Sequence, residues 1–125
     1  MYCFRNPNPD NVLVGDCVIR AISIFFDEPW DYIYDDLYEV GKEMKDMPSS
    51  NAVWGTYLLR RGCKRYIIPN TCPDCYTVHR FCIDHPEGEF LLSTGDHVIP
   101  VIDGDYYDTW DSGNLIPLYY YTKGE

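Results

Sequence analysis

A chain of 125 residues with 46% hydrophobic side chains suits one domain with one core, spanning 1–125. Its formal charge of −10, from 20 acidic and 10 basic residues, repels phosphate backbones and argues against nucleic acid as a partner. No run of about 18 apolar residues occurs, which argues against a membrane partner, and the opening MYCFRNPNPDN lacks the basic-then-apolar layout of a signal peptide, so the expected location is cytoplasmic.

In chain order, residues 5–11 (RNPNPDN) form a polar lead-in, and Gly15-Asp16 supplies a stop and a helix cap. From Cys17 to Phe26, apolar side chains at Val18, Ile19, Ala21, Ile22, Phe25 and Phe26 fit a largely buried helix, broken by Asp27-Glu28-Pro29. A second helix is predicted from Trp30 to Lys45, with Trp30, Ile33, Tyr34, Leu37, Val40, Gly41 and Met44 as its stripe and the acids between them as a solvated face. AVWGTYLLRRG reads as a third helix, capped by Ser50 or Asn51 and ending at Gly62. KRYIIP reads as a short strand, NTCPDCY as a turn-rich loop, and TVHRFCIDHP as a short helix capped by Thr77 and stopped at Pro86.

The periodicity then turns strand-like. GEFLLST, DHVIPVI, DYYDTW and IPLYYYT read as four strands, with Asp103-Gly104 as a hairpin turn between the second and third. The last, LYYYT, has an aromatic face that reads as exposed, lining a groove or a dimer contact. Helices first and strands after make the class α+β, with N-terminal helices packed on a C-terminal antiparallel sheet.

The six cysteines are Cys3, Cys17, Cys63, Cys72, Cys75 and Cys82. In a cytosolic chain they read as thiols, metal ligands or a catalytic group rather than disulfides. Cys17 stands one residue after the cap of an apolar helix. A buried structural thiol would fit anywhere along that face, whereas a nucleophile gains from the helix start, where free N–H groups and the dipole favour thiolate.

A thiol nucleophile needs a base, and the base needs an orienting group. Of three histidines, His79 and His85 fall on the short helix, while His97 opens a strand at the rim of the sheet. If Asp103-Gly104 are the two turn residues, residue 102 faces 105 and His97 faces Trp110. Asp108 then lies diagonally beside His97 on the same sheet face, and Asp111 points away. A three-residue turn would reverse this and favour Asp111; the two-residue turn, and so Asp108, is preferred.

The order Cys17, His97, Asp108 resembles the papain-like cysteine peptidase fold. There the cysteine begins the central helix, and the histidine and its Asn or Asp partner lie on neighbouring strands. Asp108-Thr109-Trp110 is similar to the papain-type Asn-Ser-Trp, which implies that Trp110 shields the histidine's hydrogen bond from water. Asn11 stands six residues before Cys17, where papain-like enzymes place the oxyanion-hole glutamine. With the Cys17 backbone N–H it would stabilise a tetrahedral oxyanion. Nearly the whole chain also resembles small papain-fold proteins of phages and gut Firmicutes that carry GDCVIRAIS near the start and YYDTWDSG near the end. Arg20, one turn after Cys17, is a charge on an apolar helix and a partner for Asp16 or Asp108. The resemblance implies a thiol hydrolase acting by acyl transfer on a peptide, isopeptide or amide bond, with a protein or peptide substrate. The rival reading is a non-catalytic binding or inhibitor protein on the same scaffold, for example a phage protein that blocks a host defence enzyme.

A second constellation is Cys72-Pro73-Asp74-Cys75, followed by His79, Cys82 and His85 at helical spacing on one face. A CxxC knuckle with ligands on a following helix is one way to build a structural zinc site, which makes Cys72, Cys75, His79 and Cys82 weak metal candidates. Their spacing matches no standard finger, so the expectation is no cofactor, with Cys82 facing the core. A thioredoxin-type role is disfavoured because CPDC follows no strand of a βαβ unit. The oligomeric state is not legible.

Overall fold

The computed structural model describes residues 1–124. Its elements are β1 (Tyr2–Phe4), α1 (Cys17–Phe26), α2 (Trp30–Met44), α3 (Asn51–Arg60), β2 (Lys64–Ile67), α4 (Val78–Asp84), β3 (Glu89–Ser93), β4 (Val98–Ile102), β5 (Asp105–Asp108) and β6 (Tyr119–Thr122). The class is α+β. The sheet has six strands in the order β1-β5-β4-β3-β6-β2. It is mixed rather than antiparallel: β1 runs parallel to β5, pairing Tyr2 with Tyr106 and Phe4 with Asp108. A three-residue strand just ahead of the polar lead-in carries no local signal, because its partner lies some hundred residues away.

Strand alternation divides the core in two. On one face Leu91, Val98 and Tyr121 meet α1, α2 and α3 through Ile22, Phe25, Leu37, Trp54 and Leu58. On the other, Leu92, Ile99, Val101 and Tyr106 meet Val78, Phe81 and Cys82 of α4. Eight of the ten residues of α1 are buried, so it is the central helix, packed on β4 with α2 behind it. α2 buries only Ile33, Leu37, Val40 and Gly41 and leaves its acids in water. β6 lies inside the sheet between β3 and β2 with Tyr121 buried, while its other face carries half-buried Tyr120, which stacks against Tyr66 and lines a groove with Ile67, Pro69 and Phe81. Among the described residues no helix is long and apolar enough to cross a membrane.

Two backbone details shape the end of the sheet where the chemistry-bearing residues gather. Asp103 and Gly104 both have positive φ (50° and 82°), the geometry of a two-residue type I′ hairpin turn, and Ile102 faces Asp105 across it. The registered β4–β5 pairs stop at Val101 and Tyr106. The next residue on β4 is Pro100, which has no N–H to extend the ladder. Beyond that point β5 is held by β1.

Candidate active site

Cys17 is the first residue of α1, and Asp16 occupies the cap position without a side-chain cap bond. The first backbone bond of the helix runs from Arg20 N–H to Asp16 O, so the N–H groups of the opening turn, that of Cys17 among them, precede the hydrogen-bonded ladder. The Asp16 carboxylate is spent elsewhere. One oxygen takes Arg20 Nη1; the other takes Trp30 Nε1 at 2.9 Å and Asn8 Nδ2 at 3.4 Å.

His97 is set by the β3–β4 loop. Its N–H donates to Thr94 Oγ1 at 3.1 Å, and Thr94 N–H returns a bond to His97 O at 2.9 Å. Asn51, at the start of α3, clamps the loop from outside: its Nδ2 donates to Gly95 O at 2.9 Å while its Oδ1 accepts from Trp54 Nε1 at 2.9 Å. The His97 ring lies between Asp108 and Cys17. Nε2 is 2.7 Å from Asp108 Oδ2, and the ring is the neighbour that acts most strongly to lower the Cys17 thiol.

Asp108 is the last residue of β5 and is buried. Four donors converge on it: Arg20 Nη2 (3.2 Å) and Thr109 N–H (2.8 Å) on Oδ1, His97 Nε2 and Ser112 Oγ (2.8 Å) on Oδ2. Asp111 is turned away and accepts from the Tyr106 hydroxyl at 2.5 Å. Trp110 packs beside His97, with ring centroids 5.1 Å apart and about half its surface in solvent (48%).

The electrostatics follow from these contacts. Burial pushes the Cys17 thiol up, but the hydrogen bond and charge of His97, the Val98 N–H and the Arg20 guanidinium outweigh it, so Cys17 titrates below an ordinary thiol. Burial alone would lower His97; its bonds to Asp108 and Cys17 reverse that and raise it to about 9. Burial likewise opposes ionisation of Asp108, yet His97, Ser112 and the Thr109 N–H hold its carboxyl below the usual range. These shifts move the pair toward a Cys17 thiolate beside a His97 imidazolium. A cleft of about 390 Å³ opens at the sulfur, walled by Gly15, Cys17, Ser50, Asn51, Gly95 and Val98 among others.

The structure thus brings Cys17, His97, Asp108 and Trp110 together. Asn11 it does not: Asn11 is exposed, stands at φ 56° in a turn closed by its own N–H on Asn8 O, and does not line the cleft. Ser112 and Trp30 join the network without having been singled out. Ser112 lies in a loop four residues beyond Asp108, and Trp30 reads from its spacing as a plain apolar position.

The metal candidates are dispersed. Cys72 and Cys75 are exposed on their loop, His79 is exposed on α4, and Cys82 is buried in the core beneath it. The three residues expected on one helix face differ in burial: His79 is exposed, Cys82 is buried, and His85, which caps the end of α4, is half-buried. His85 instead stacks on Phe81 with centroids 3.9 Å apart. Among the described residues no three His, Cys, Asp or Glu side chains are grouped to hold a metal ion. Compared with protein-family models, with curated proteins and with solved structures, the chain finds no match in any of the three.

Proposed function

We propose that the chain is a papain-like thiol hydrolase that cleaves a peptide, isopeptide or amide bond with Cys17 as nucleophile, His97 as base and acid, and Asp108 as orienting group. The observation that carries this reading is the His97 ring held 2.7 Å from the buried Asp108 carboxylate, beside a Cys17 thiol at the start of α1 that His97 acts to lower. With Nε2 committed to Asp108, His97 presents Nδ1 to the sulfur, the arrangement in which a triad moves one proton.

The Cys17 thiolate attacks the carbonyl carbon in the cleft and forms a C–S bond, and the carbonyl oxygen takes the negative charge. The Cys17 N–H, in the uncapped first turn of α1, is a donor for that oxyanion. As the oxyanion collapses, the C–N bond breaks and the His97 imidazolium gives its proton to the leaving nitrogen. Water then attacks the thioester carbonyl, neutral His97 takes its proton, and the C–S bond breaks to release the acid and restore the ion pair. Asp108 keeps its charge throughout and holds the ring.

The test is labelling with an electrophilic activity probe at pH 7, comparing wild type with Cys17→Ala and His97→Ala. Adduct confined to Cys17 and lost in both variants supports the reading. A wild type labelled no faster at Cys17 than at the exposed Cys72 and Cys75 overturns it and leaves the binding-protein alternative on this scaffold.

A further inference from the structure

We propose that Arg20 is a positioning residue for this site: its guanidinium ties the Asp108 carboxylate to the opening turn of α1 and holds positive charge behind the Cys17 sulfur. The inference rests on the hydrolase reading above. Arg20 follows Cys17 by three residues, so the two lie near one face of the helix. A charge on a helix that otherwise buries Val18, Ile19, Ala21, Ile22 and Phe25 needs a reason, because an unpaired buried guanidinium is costly.

The reason is visible in its bonds. Nη2 donates to Asp108 Oδ1 at 3.2 Å, while Nη1 donates to Asp16 Oδ1 and to Val14 O at 3.3 Å. The three side chains are 8%, 2% and 5% exposed for Arg20, Asp108 and Asp16. Trp30 Nε1 and Asn8 Nδ2 hold the remaining Asp16 oxygen, so α2 and the lead-in fix the far end of the bridge. The charged and titratable groups facing Arg20 are therefore Asp16 from its own helix, Asp108 from β5, and the Cys17–His97 pair beyond them. A guanidinium suits this place because its planar fork serves two carboxylates at once. The bridge also gives a physical reason for a carboxylate at position 108, where the papain-type motif has an amide: an Asn there has one oxygen to share between Arg20 and His97.

A clamp that merely held the fold together would affect stability and leave the sulfur's ionisation alone. The experiment measures iodoacetamide alkylation of Cys17 by mass spectrometry across pH 4.5–9 in the full chain, with thermal melting of each variant. Arg20→Gln is expected to slow alkylation at pH 6 about tenfold, the equivalent of one unit in the thiol midpoint. Arg20→Lys, which keeps the charge but not the fork, is expected to restore most of that rate while still lowering the melting temperature. A midpoint unchanged in Arg20→Gln overturns the positioning role while the hydrolase reading stands. A wild-type Cys17 no more reactive at pH 6 than Cys72 and Cys75 overturns the hydrolase reading, and this inference with it.

Discussion

His97 Nε2 lies 2.7 Å from Asp108 Oδ2, and the same oxygen accepts from Ser112 Oγ at 2.8 Å. Two donors on one carboxylate oxygen leave the imidazole little choice of orientation or tautomer. Nε2 carries the proton given to Asp108, so Nδ1 faces the sulfur as the proton acceptor. The precision comes from short local links: the Thr94 turn on one side, the Thr109 N–H and Ser112 hydroxyl on the other.

Asp108→Asn tests that arrangement directly. With four donors converging on the side chain, an amide –NH₂ meets a donor whichever way it is turned. If it points at His97, the ring must accept at Nε2 and carry its proton on Nδ1, the wrong tautomer to deprotonate Cys17. Probe labelling should fall about 100-fold or more, in the range that wrong-tautomer variants of triads show. Stability should fall by about 1–3 kcal/mol for the badly paired polar groups. Asp108→Ala, which strands Arg20 against Asp16 alone, should cost more, about 3–5 kcal/mol. Urea melts read the second pair of effects.

Some of this was legible in the sequence, and the reasons differ by residue. α1 shows itself at both ends because an unbroken apolar run sits between Gly15-Asp16 and Asp27-Glu28-Pro29, and its bounds are those of the structure. The Asp103-Gly104 turn is legible because few dipeptides accept positive φ twice, and the strand parity that prefers Asp108 to Asp111 follows from it. What escaped depends on contacts between distant segments. β1 takes its place from β5, the role of Ser112 exists only once its loop folds back on Asp108, and the Trp30 indole is claimed by Asp16 across two helices. Asn11 is a related case: spacing before the cysteine says nothing about which way a turn residue at positive φ points.

Asn51 supports the base from the opposite side, and its removal should be felt in two places. Trp54 is fully buried, and its indole N–H has Asn51 Oδ1 as its partner. Asn51→Ala leaves that donor unsatisfied, at a cost of about 1–3 kcal/mol. It also frees Gly95, whose carbonyl takes the Asn51 amide two residues before His97. Thermal melting should show the loss of stability. Probe labelling at a temperature where the variant is folded should show a fall of less than tenfold, since the Thr94 turn still holds the histidine.

Cys72 and Cys75 allow a negative control with physical content. Both are exposed and lie on a loop that brings no third ligand to them among the described residues. A Cys72→Ser, Cys75→Ser double variant should melt within about 0.5 kcal/mol of wild type, as surface substitutions do. It should retain Cys17 labelling, and addition of a chelator should leave the melting curve of either protein in place. A drop of several degrees on chelation would mean that a metal contributes to the fold.

The pH dependence should differ between alkylation and hydrolysis, and the difference isolates what His97 does. Alkylation needs only the thiolate. The Cys17 thiol is lowered by His97, the Val98 N–H and Arg20 against the pull of burial, so its rate should rise at a pH below that of an ordinary thiol and show no fall on the alkaline side. The proposed hydrolysis also needs the imidazolium proton for the leaving nitrogen. His97 is raised to about 9, so the proton is present below that pH and lost above it, and turnover should decline as pH rises through about 9. In His97→Ala the hydrogen bond and the charge are gone while burial still pushes the thiol up. Alkylation at pH 6 should then drop about 100-fold, and its rise should move beyond the ordinary thiol range. Identical alkaline behaviour in the two assays would mean that His97 sets the sulfur's charge and donates no proton, which removes the acid step from the mechanism.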